Sequence, residues 1–119
     1  MIEGHCHCGA VRWRLNVKPD WLTRCNCSYC RRANALWAHA DASQVRLDYP
    51  AGGVVRYLQG DRTLVFVSCL SCGCTTHWEA ADRESGGRMA VNANMAEPAA
   101  ITGLRIRRFD GAASWEFLD

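Results

Sequence analysis

Eight cysteines in a chain of 119 residues constrain the fold more than any other feature of the sequence. The N-terminus has neither the basic region nor the apolar stretch of a secretory signal, which predicts a cytoplasmic protein. Thiols in that reducing compartment rarely pair as disulfides, whereas thiolates bind zinc well. The sequence therefore predicts metal sites. The cysteines form three clusters: Cys6 and Cys8; Cys25, Cys27 and Cys30; Cys69, Cys72 and Cys74.

Two of these clusters have the form of a zinc knuckle. In Cys6-His7-Cys8-Gly9 and in Cys69-Leu70-Ser71-Cys72-Gly73, a glycine follows the second cysteine. Glycine relieves the steric limit on the tight backbone curl that directs two sulfurs at one ion. Since each knuckle supplies two thiolates, the pair predicts one closed, tetrahedral, structural zinc site. The predicted ligands are Cys6, Cys8, Cys69 and Cys72.

The middle cluster offers three thiolates, Cys25, Cys27 and Cys30, and has no glycine knuckle. Three protein ligands leave one zinc position open, which is typical of a catalytic site because water or substrate can bind there. Arg31 and Arg32 follow at once, and guanidinium groups both offset the charge of three thiolates and bind carboxylates. We therefore predict that the three cysteines and Arg31 are catalytic, and that both arginines bind the substrate.

Cys74 leaves a second interpretation of the middle cluster open. It lies two residues beyond Cys72 and exceeds the four ligands that the closed site can use. It is either a free buried thiol or the fourth ligand of a second structural zinc, which a histidine would also complete. A lone histidine in a strand more often packs or hydrogen bonds than binds metal, so all four histidines are left out of the predicted ligand sets.

The hydrophobic pattern predicts many short strands. Apolar and polar residues alternate over residues 11–17, the period of two expected of a strand with one buried face. Ser28 is predicted to cap a helical turn over residues 28–36 that depends on the metal. We expect one mainly β domain over residues 1–119 with very little helix. Other predicted strands are 21–24, 36–40, 44–47, 54–58, 63–68, 75–80, 88–92, 104–109 and 114–118. The tryptophans expected in the core are Trp13, Trp21, Trp37, Trp78 and Trp115.

Charge does not predict a nucleic acid or a membrane as a partner. The 14 basic and 12 acidic residues are spread along the chain and leave a net charge of +2. Arg105, Arg107 and Arg108 alternate near the end of the chain, but such strand faces are usually solvated and no nucleic-acid motif accompanies them. The longest strongly apolar run, residues 64–67, is too short to span a bilayer.

Three motifs cover nearly the whole chain in a fixed order. They are Gly4-x-Cys-x-Cys-Gly9, then Cys25-x-Cys-Ser-x-Cys30-Arg31, then Cys69-x-x-Cys72-Gly73. This order resembles the glutathione-dependent formaldehyde-activating enzyme family, which includes centromere protein V. Val91-Asn92 and Phe109-Asp110-Gly111 with Trp115 resemble shorter bacterial members. Cys74 departs from the family, where another residue is usual.

The resemblance implies a compact, zinc-ribbon-like β-tent of antiparallel sheets. It implies a structural zinc at the two knuckles and a second zinc at Cys25, Cys27 and Cys30. The implied activity adds glutathione to formaldehyde, and is classed as that of a carbon-sulfur lyase in the reverse direction. Our hypothesis is that a small thiol binds at the open zinc position and attacks an aldehyde. The alternative is a non-catalytic, zinc-stabilised binding module, since a shared fold does not establish a shared chemistry.

Overall fold

Strands dominate the fold. The computed structural model describes residues 1–60, 63–82 and 87–119. The strands in those ranges are β1 (Ile2–His5), β2 (Arg12–Leu15), β3 (Trp21–Cys25), β4 (Trp37–Asp41), β5 (Val45–Asp48), β6 (Val54–Gln59), β7 (Leu64–Cys69), β8 (Thr75–Ala80), β9 (Arg88–Asn92) and β10 (Arg105–Phe109). The helical elements are short: α1 (Ser28–Ala33), α2 (Pro98–Ile101), and 3-10 turns at Ala42–Gln44 and Ala93–Met95. The predicted mainly β fold with very little helix is confirmed.

The strands form two sheets. The smaller sheet has the order β1-β2-β5, and the larger has the order β10-β3-β4-β9-β8-β7-β6. Neighbouring strands pair antiparallel, as expected, except that β10 runs parallel to β3. In that parallel register Arg108 is the partner of Arg24, and Phe109 is the partner of Cys25. The end of the chain therefore lies beside the middle cysteine cluster.

The larger sheet is covered on both faces. Trp37 and Ala38 are consecutive in β4, so their side chains point to opposite faces. Ala38 belongs to the apolar cluster that joins the two sheets, together with Trp13 and Leu15 of β2. Trp37 belongs to a second cluster that also contains Cys30 of α1. Helix α1 and the middle cysteines thus lie on the face of the large sheet that the small sheet leaves free.

The prediction of a last strand over residues 114–118 is mostly wrong. Only Phe117 forms a β-bridge, with Phe109, and the residues before it form a turn. Trp115 has a φ of 58°, in the left-handed region, which is incompatible with a continuous strand. It is also 70% exposed, contrary to the expectation that it is a core residue. Of the other tryptophans, Trp21 is partly buried, while Trp13, Trp37 and Trp78 are buried as expected.

Candidate metal centres

The two knuckles bring four sulfurs together into a group that we call the closed centre. The Sγ atoms of Cys6, Cys8, Cys69 and Cys72 all lie within 4.8 Å of one another. Cys8 Sγ lies 3.6 Å from Cys6 Sγ and 3.6 Å from Cys69 Sγ. Two sulfurs bound tetrahedrally to one zinc at about 2.3 Å are about 3.8 Å apart. The spacing therefore fits a tetrahedral zinc ion with four thiolate ligands.

Each knuckle is a tight turn that ends on its glycine. Gly9 and Gly73 have φ values of 81° and 80°, a conformation that costs a residue with a Cβ considerably more than it costs glycine. The turns are closed by the bonds from Gly9 N to Cys6 O and from Gly73 N to Cys69 O, both 2.9 Å. This is the local geometry that the position of the glycines predicted.

The closed centre is half-buried and rich in amide donors, with Cys8 exposed and Cys72 partly exposed. Cys6 and Cys69 are fully buried, and Val11 N donates to Cys6 Sγ over 3.3 Å. Backbone N–H groups of Cys74 and then Cys8 donate to Cys72 and lower its thiol pKa to about 5. Amide donors of this kind favour the thiolate form that a metal binds.

The middle cluster forms a second group, which we call the open centre. The Sγ atoms of Cys25, Cys27 and Cys30 lie within 4.8 Å of one another. In the described part of the chain no histidine, fourth cysteine or carboxylate joins them. Three ligands of zinc-binding type at this spacing fit a zinc ion with one position left for another molecule.

Helix α1 and the chain before it orient these three sulfurs. The sequence predicted Ser28 as the cap of this helix, but the cap is Cys27. Its Sγ accepts a hydrogen bond of 3.3 Å from Cys30 N. Cys27 N in turn donates to Cys25 Sγ over 3.4 Å. One of the three clustered thiols therefore serves as the helix cap, which links the short helix to the open centre.

The buried side of the open centre is held by Trp37. Its indole Nε1 donates to Cys30 Sγ over 3.2 Å. The hydrogen bond with the Cys30 thiol lowers the pKa of Cys25 to about 6, against the opposing effect of partial burial. The same bond raises the pKa of Cys30. The two opposite shifts have one cause, the hydrogen bond that the Cys30 thiol donates to Cys25 Sγ.

A cleft of about 380 Å³ opens beside Cys25 and Cys30. Its other lining residues are Arg24, Asn26, Arg31, Asn34, Arg108, Phe109 and Leu118. Arg24 is held in place by Asn34 Oδ1 at 2.9 Å. Arg31 was a predicted site residue, whereas Arg108 was predicted only on a solvated strand face and Arg24 was not singled out. Only the parallel pairing of β3 and β10 brings Arg24 and Arg108 side by side. The cleft has a positive wall next to a group of thiols.

Arg32 and Cys74 lie apart from the open centre. Arg32 Nη1 donates to Ser28 O over 2.7 Å, a bond within α1, and Arg32 is not in the lining of the cleft. Cys74 packs against the closed centre, where its carbonyl accepts a bond of 2.9 Å from Cys69 N. Its sulfur is in neither group of ligands.

Among the histidines, His77 is buried and shares a hydrogen bond with Thr76 Oγ1. Burial lowers its pKa to about 4.

Gly111 was part of a family motif without an assigned role, and the structure gives it one. A Cβ at Gly111 would lie 2.6 Å from Cys25 Sγ and 3.2 Å from Cys27 Cβ, closer than real contacts allow. The backbone of the loop after β10 therefore lies directly on the open centre, and only glycine leaves room for it.

Comparisons with known proteins find one matching family model, a curated relative and a solved structure of similar fold. The family model described as glutathione-dependent formaldehyde-activating enzyme matches residues 1–103. A curated Halomonas elongata protein, provisionally named for that activity, is 52% identical over 33 residues. That match spans 27% of this chain and 21% of the relative. A crystal structure of a Rhodobacter sphaeroides protein is similar with a TM-score of 0.69 and 31% identity, and the match covers 88% of this chain and 99% of the other.

Proposed function

Because the chain belongs to the glutathione-dependent formaldehyde-activating enzyme family, we propose that it is a zinc-dependent enzyme that joins a small anionic thiol, such as glutathione, to an aldehyde such as formaldehyde. In reverse, the enzyme is a carbon-sulfur lyase. We further propose that the chain forms one cytoplasmic domain over residues 1–119 and that it binds two zinc ions, one structural and one catalytic. The observation that carries it is a group of three thiols, two of which, Cys25 and Cys30, line an arginine-rich cleft.

The proposed reaction balances without an oxidant or a reductant. The thiol sulfur forms a bond to the carbonyl carbon, and the π bond of the carbonyl breaks. The proton lost by the thiol is matched by the proton gained by the carbonyl oxygen, which gives a hydroxymethyl thioether. The protein must therefore favour the thiolate and hold it next to the aldehyde.

The open centre has the ligands for this task. A zinc ion at Cys25, Cys27 and Cys30 would supply Lewis acidity at the remaining coordination position. Trp37 Nε1 and Cys30 N donate to Cys30 Sγ and Cys27 Sγ respectively, which orients both sulfurs. Such donors around metal ligands typically contribute about 10- to 100-fold in affinity or activity.

The arginines of the cleft match the charge of the proposed thiol. Glutathione carries two carboxylates, and guanidinium groups bind carboxylates through paired hydrogen bonds. Arg24, Arg31 and Arg108 all line the cleft beside the open centre. We infer that Arg31 binds a substrate carboxylate, with Arg24 and Arg108 as further contacts. Arg32, which was also predicted to bind the substrate, is the weaker candidate for such a contact, because its guanidinium donates to Ser28 O within α1.

A zinc-stabilised binding module without catalysis is the second candidate. The observation in its favour is the exposed ring of Trp115, since large exposed aromatics often mark interaction sites.

The arginines of β10 do not favour a nucleic acid as a partner. Arg107 packs over Phe117 at 3.9 Å and over Trp21 at 4.7 Å, and Arg108 pairs with Asp119 at 3.6 Å. Among the described residues, no helix has the length and apolar character needed to cross a membrane.

Metal content and adduct formation together test the proposal. The wild type is expected to hold two zinc ions and to form the thiol-aldehyde adduct faster than the uncatalysed mixture. Cys27→Ser is expected to hold one zinc and to show only the uncatalysed rate, while the control Cys74→Ser behaves as wild type. A wild-type rate equal to the uncatalysed rate would contradict catalysis and favour the binding module. An unchanged zinc content in Cys27→Ser would contradict the second site.

A further inference from the structure

The segment after β10 folds into a loop that closes on Asp110. Asp110 N donates to Glu116 O over 2.9 Å, and Trp115 N donates to Asp110 O over 2.8 Å. The Asp110 side chain fills the loop, because Ser114 Oγ donates to its Oδ2 over 2.9 Å. These bonds give residues 110–116, which we call the C-terminal loop, a fixed shape of their own.

Asn26 attaches this loop to the cysteines. It lies between Cys25 and Cys27, yet both ends of its side-chain amide are used 84 and 86 positions away. Asn26 Nδ2 donates to Asp110 Oδ1 over 3.0 Å, and Asn26 Oδ1 accepts from Ala112 N over 2.9 Å. The backbone adds a third bond, from Asn26 N to Phe109 O at 3.2 Å. One side chain thus grips the loop on both sides of Gly111.

The residue between the two grips is the one that contacts the metal ligands. Gly111 lies between Asp110 and Ala112, so the two bonds of Asn26 fix its peptide plane. Its α-carbon approaches Cys25 Sγ so closely that a Cβ would lie 2.6 Å from that sulfur. A small rotation of the loop would open this contact or press the backbone onto the sulfur.

We propose that Asn26 and Asp110 are positioning residues, which hold the Gly111 backbone against Cys25 Sγ and thereby set the position of that sulfur and the geometry of the open centre. Partners behind the ligands of a metal typically tune both its affinity and its reactivity. The inference rests on the proposed metal at Cys25, Cys27 and Cys30.

Exchange of the two partners provides a sharp test. Asn26→Asp sets a second carboxylate against that of Asp110 and is expected to break the grip. The double variant Asn26→Asp/Asp110→Asn restores it with donor and acceptor exchanged: the new carboxylate accepts from Ala112 N and from the new amide. That amide still offers an oxygen to Ser114. Asn16→Asp, at an exposed position directly after β2, is the matched control.

The probe is cobalt(II), bound in place of zinc and followed by chelator competition and by the thiolate-to-cobalt absorption bands. Asn26→Asp and Asp110→Asn are each expected to weaken the second cobalt by about 10- to 100-fold and to shift its bands. The double variant is expected to recover both the affinity and the absorption bands of the second cobalt. Cobalt binding at the closed centre is expected to be unchanged in all variants, and this unchanged binding shows that each variant is folded. A second cobalt with the same affinity and bands in the single variants, or no recovery in the double variant, overturns the inference. A wild type that binds only one cobalt overturns the proposed function itself, and the inference with it.

Discussion

The closed and open centres use the same ligand type in opposite ways. The closed centre joins two knuckles that are distant in the chain: Cys8 Sγ and Cys69 Sγ lie 3.6 Å apart but belong to residues 61 positions apart. The open centre takes all three sulfurs from one segment of six residues. Four thiols from distant segments would tie the fold together around one metal, whereas three from one segment would leave a coordination position next to a cleft.

The hydrogen-bond donors to the sulfurs differ in the same way. At the closed centre, Val11 N and the amides of the knuckles come from the turns themselves. At the open centre, Cys27 N and Cys30 N also come from the cluster's own segment, but the indole of Trp37 comes from β4. The Gly111 backbone that contacts Cys25 Sγ comes from the loop after β10. The closed centre therefore needs little beyond its own turns, while the open centre depends on the packing of the whole large sheet around it.

The largest expected effect is on stability, and it should divide the two centres. Cys69→Ser removes a fully buried ligand and is expected to unfold the chain, since structural zinc contributes on the order of 10 kcal/mol to folding in small modules. Cys27→Ser is expected to keep the fold and lose activity. Far-UV circular dichroism and urea unfolding measure the difference. Equal loss of stability in both variants would mean that the open centre is structural as well.

Glycine substitutions should separate the centres with a smaller effect. Gly111→Ala places a Cβ against Cys25 Sγ and is expected to reduce activity roughly 100-fold, the upper range for residues behind metal ligands. Gly73→Ala meets no atom within 4 Å and is strained only by its φ of 80°, so we expect a loss of about 1 kcal/mol in the free energy of unfolding with activity retained. The measurements are steady-state rates and urea unfolding for both variants. A loss of activity in Gly73→Ala with full activity in Gly111→Ala would reverse this assignment.

The local part of both centres was predictable from the sequence. Cysteine spacing and the following glycines identify the two knuckles, because a tight turn is a property of adjacent residues. The group of three cysteines was equally visible. The sequence did not reveal that Cys27 rather than Ser28 caps α1, since a metal-ligand thiol is not among the usual capping residues.

What the sequence did not predict depends on contacts between distant segments. Arg24 and Arg108 meet through the parallel register of β3 and β10, which no local pattern encodes. The sequence pattern of residues 114–118 predicted a strand, but hydrogen bonds to the side chain of Asp110 hold the segment before Phe117 as a loop. These two failures concern the same edge of the large sheet, where the cleft and the loop over the open centre lie.

Two neighbouring arginines test the substrate side of the open centre. Arg31→Ala removes a cleft residue and is expected to raise KM for the thiol about 10-fold with little change in kcat, which corresponds to about 1.4 kcal/mol of binding free energy. Arg32→Ala is the matched control, because it removes a guanidinium that donates to Ser28 O within α1. Initial rates over a range of thiol concentrations give both constants. An equal rise in KM for the two variants would show that general positive charge, rather than the cleft, attracts the thiol.

The smallest expected effect concerns the fifth thiol at the closed centre. Cys74 packs beside the four ligands, and the backbone N–H of His7 donates to its sulfur. A serine oxygen accepts the same bond, so Cys74→Ser is expected to change the free energy of unfolding by no more than about 0.5 kcal/mol and to retain both zinc ions. Zinc analysis and urea unfolding test this. Loss of one zinc with full stability would make Cys74 a ligand of the open centre, and a large loss of stability would make it a ligand of the closed one. Either result would remove the distinction between four ligands and three on which the assignment of the two centres rests.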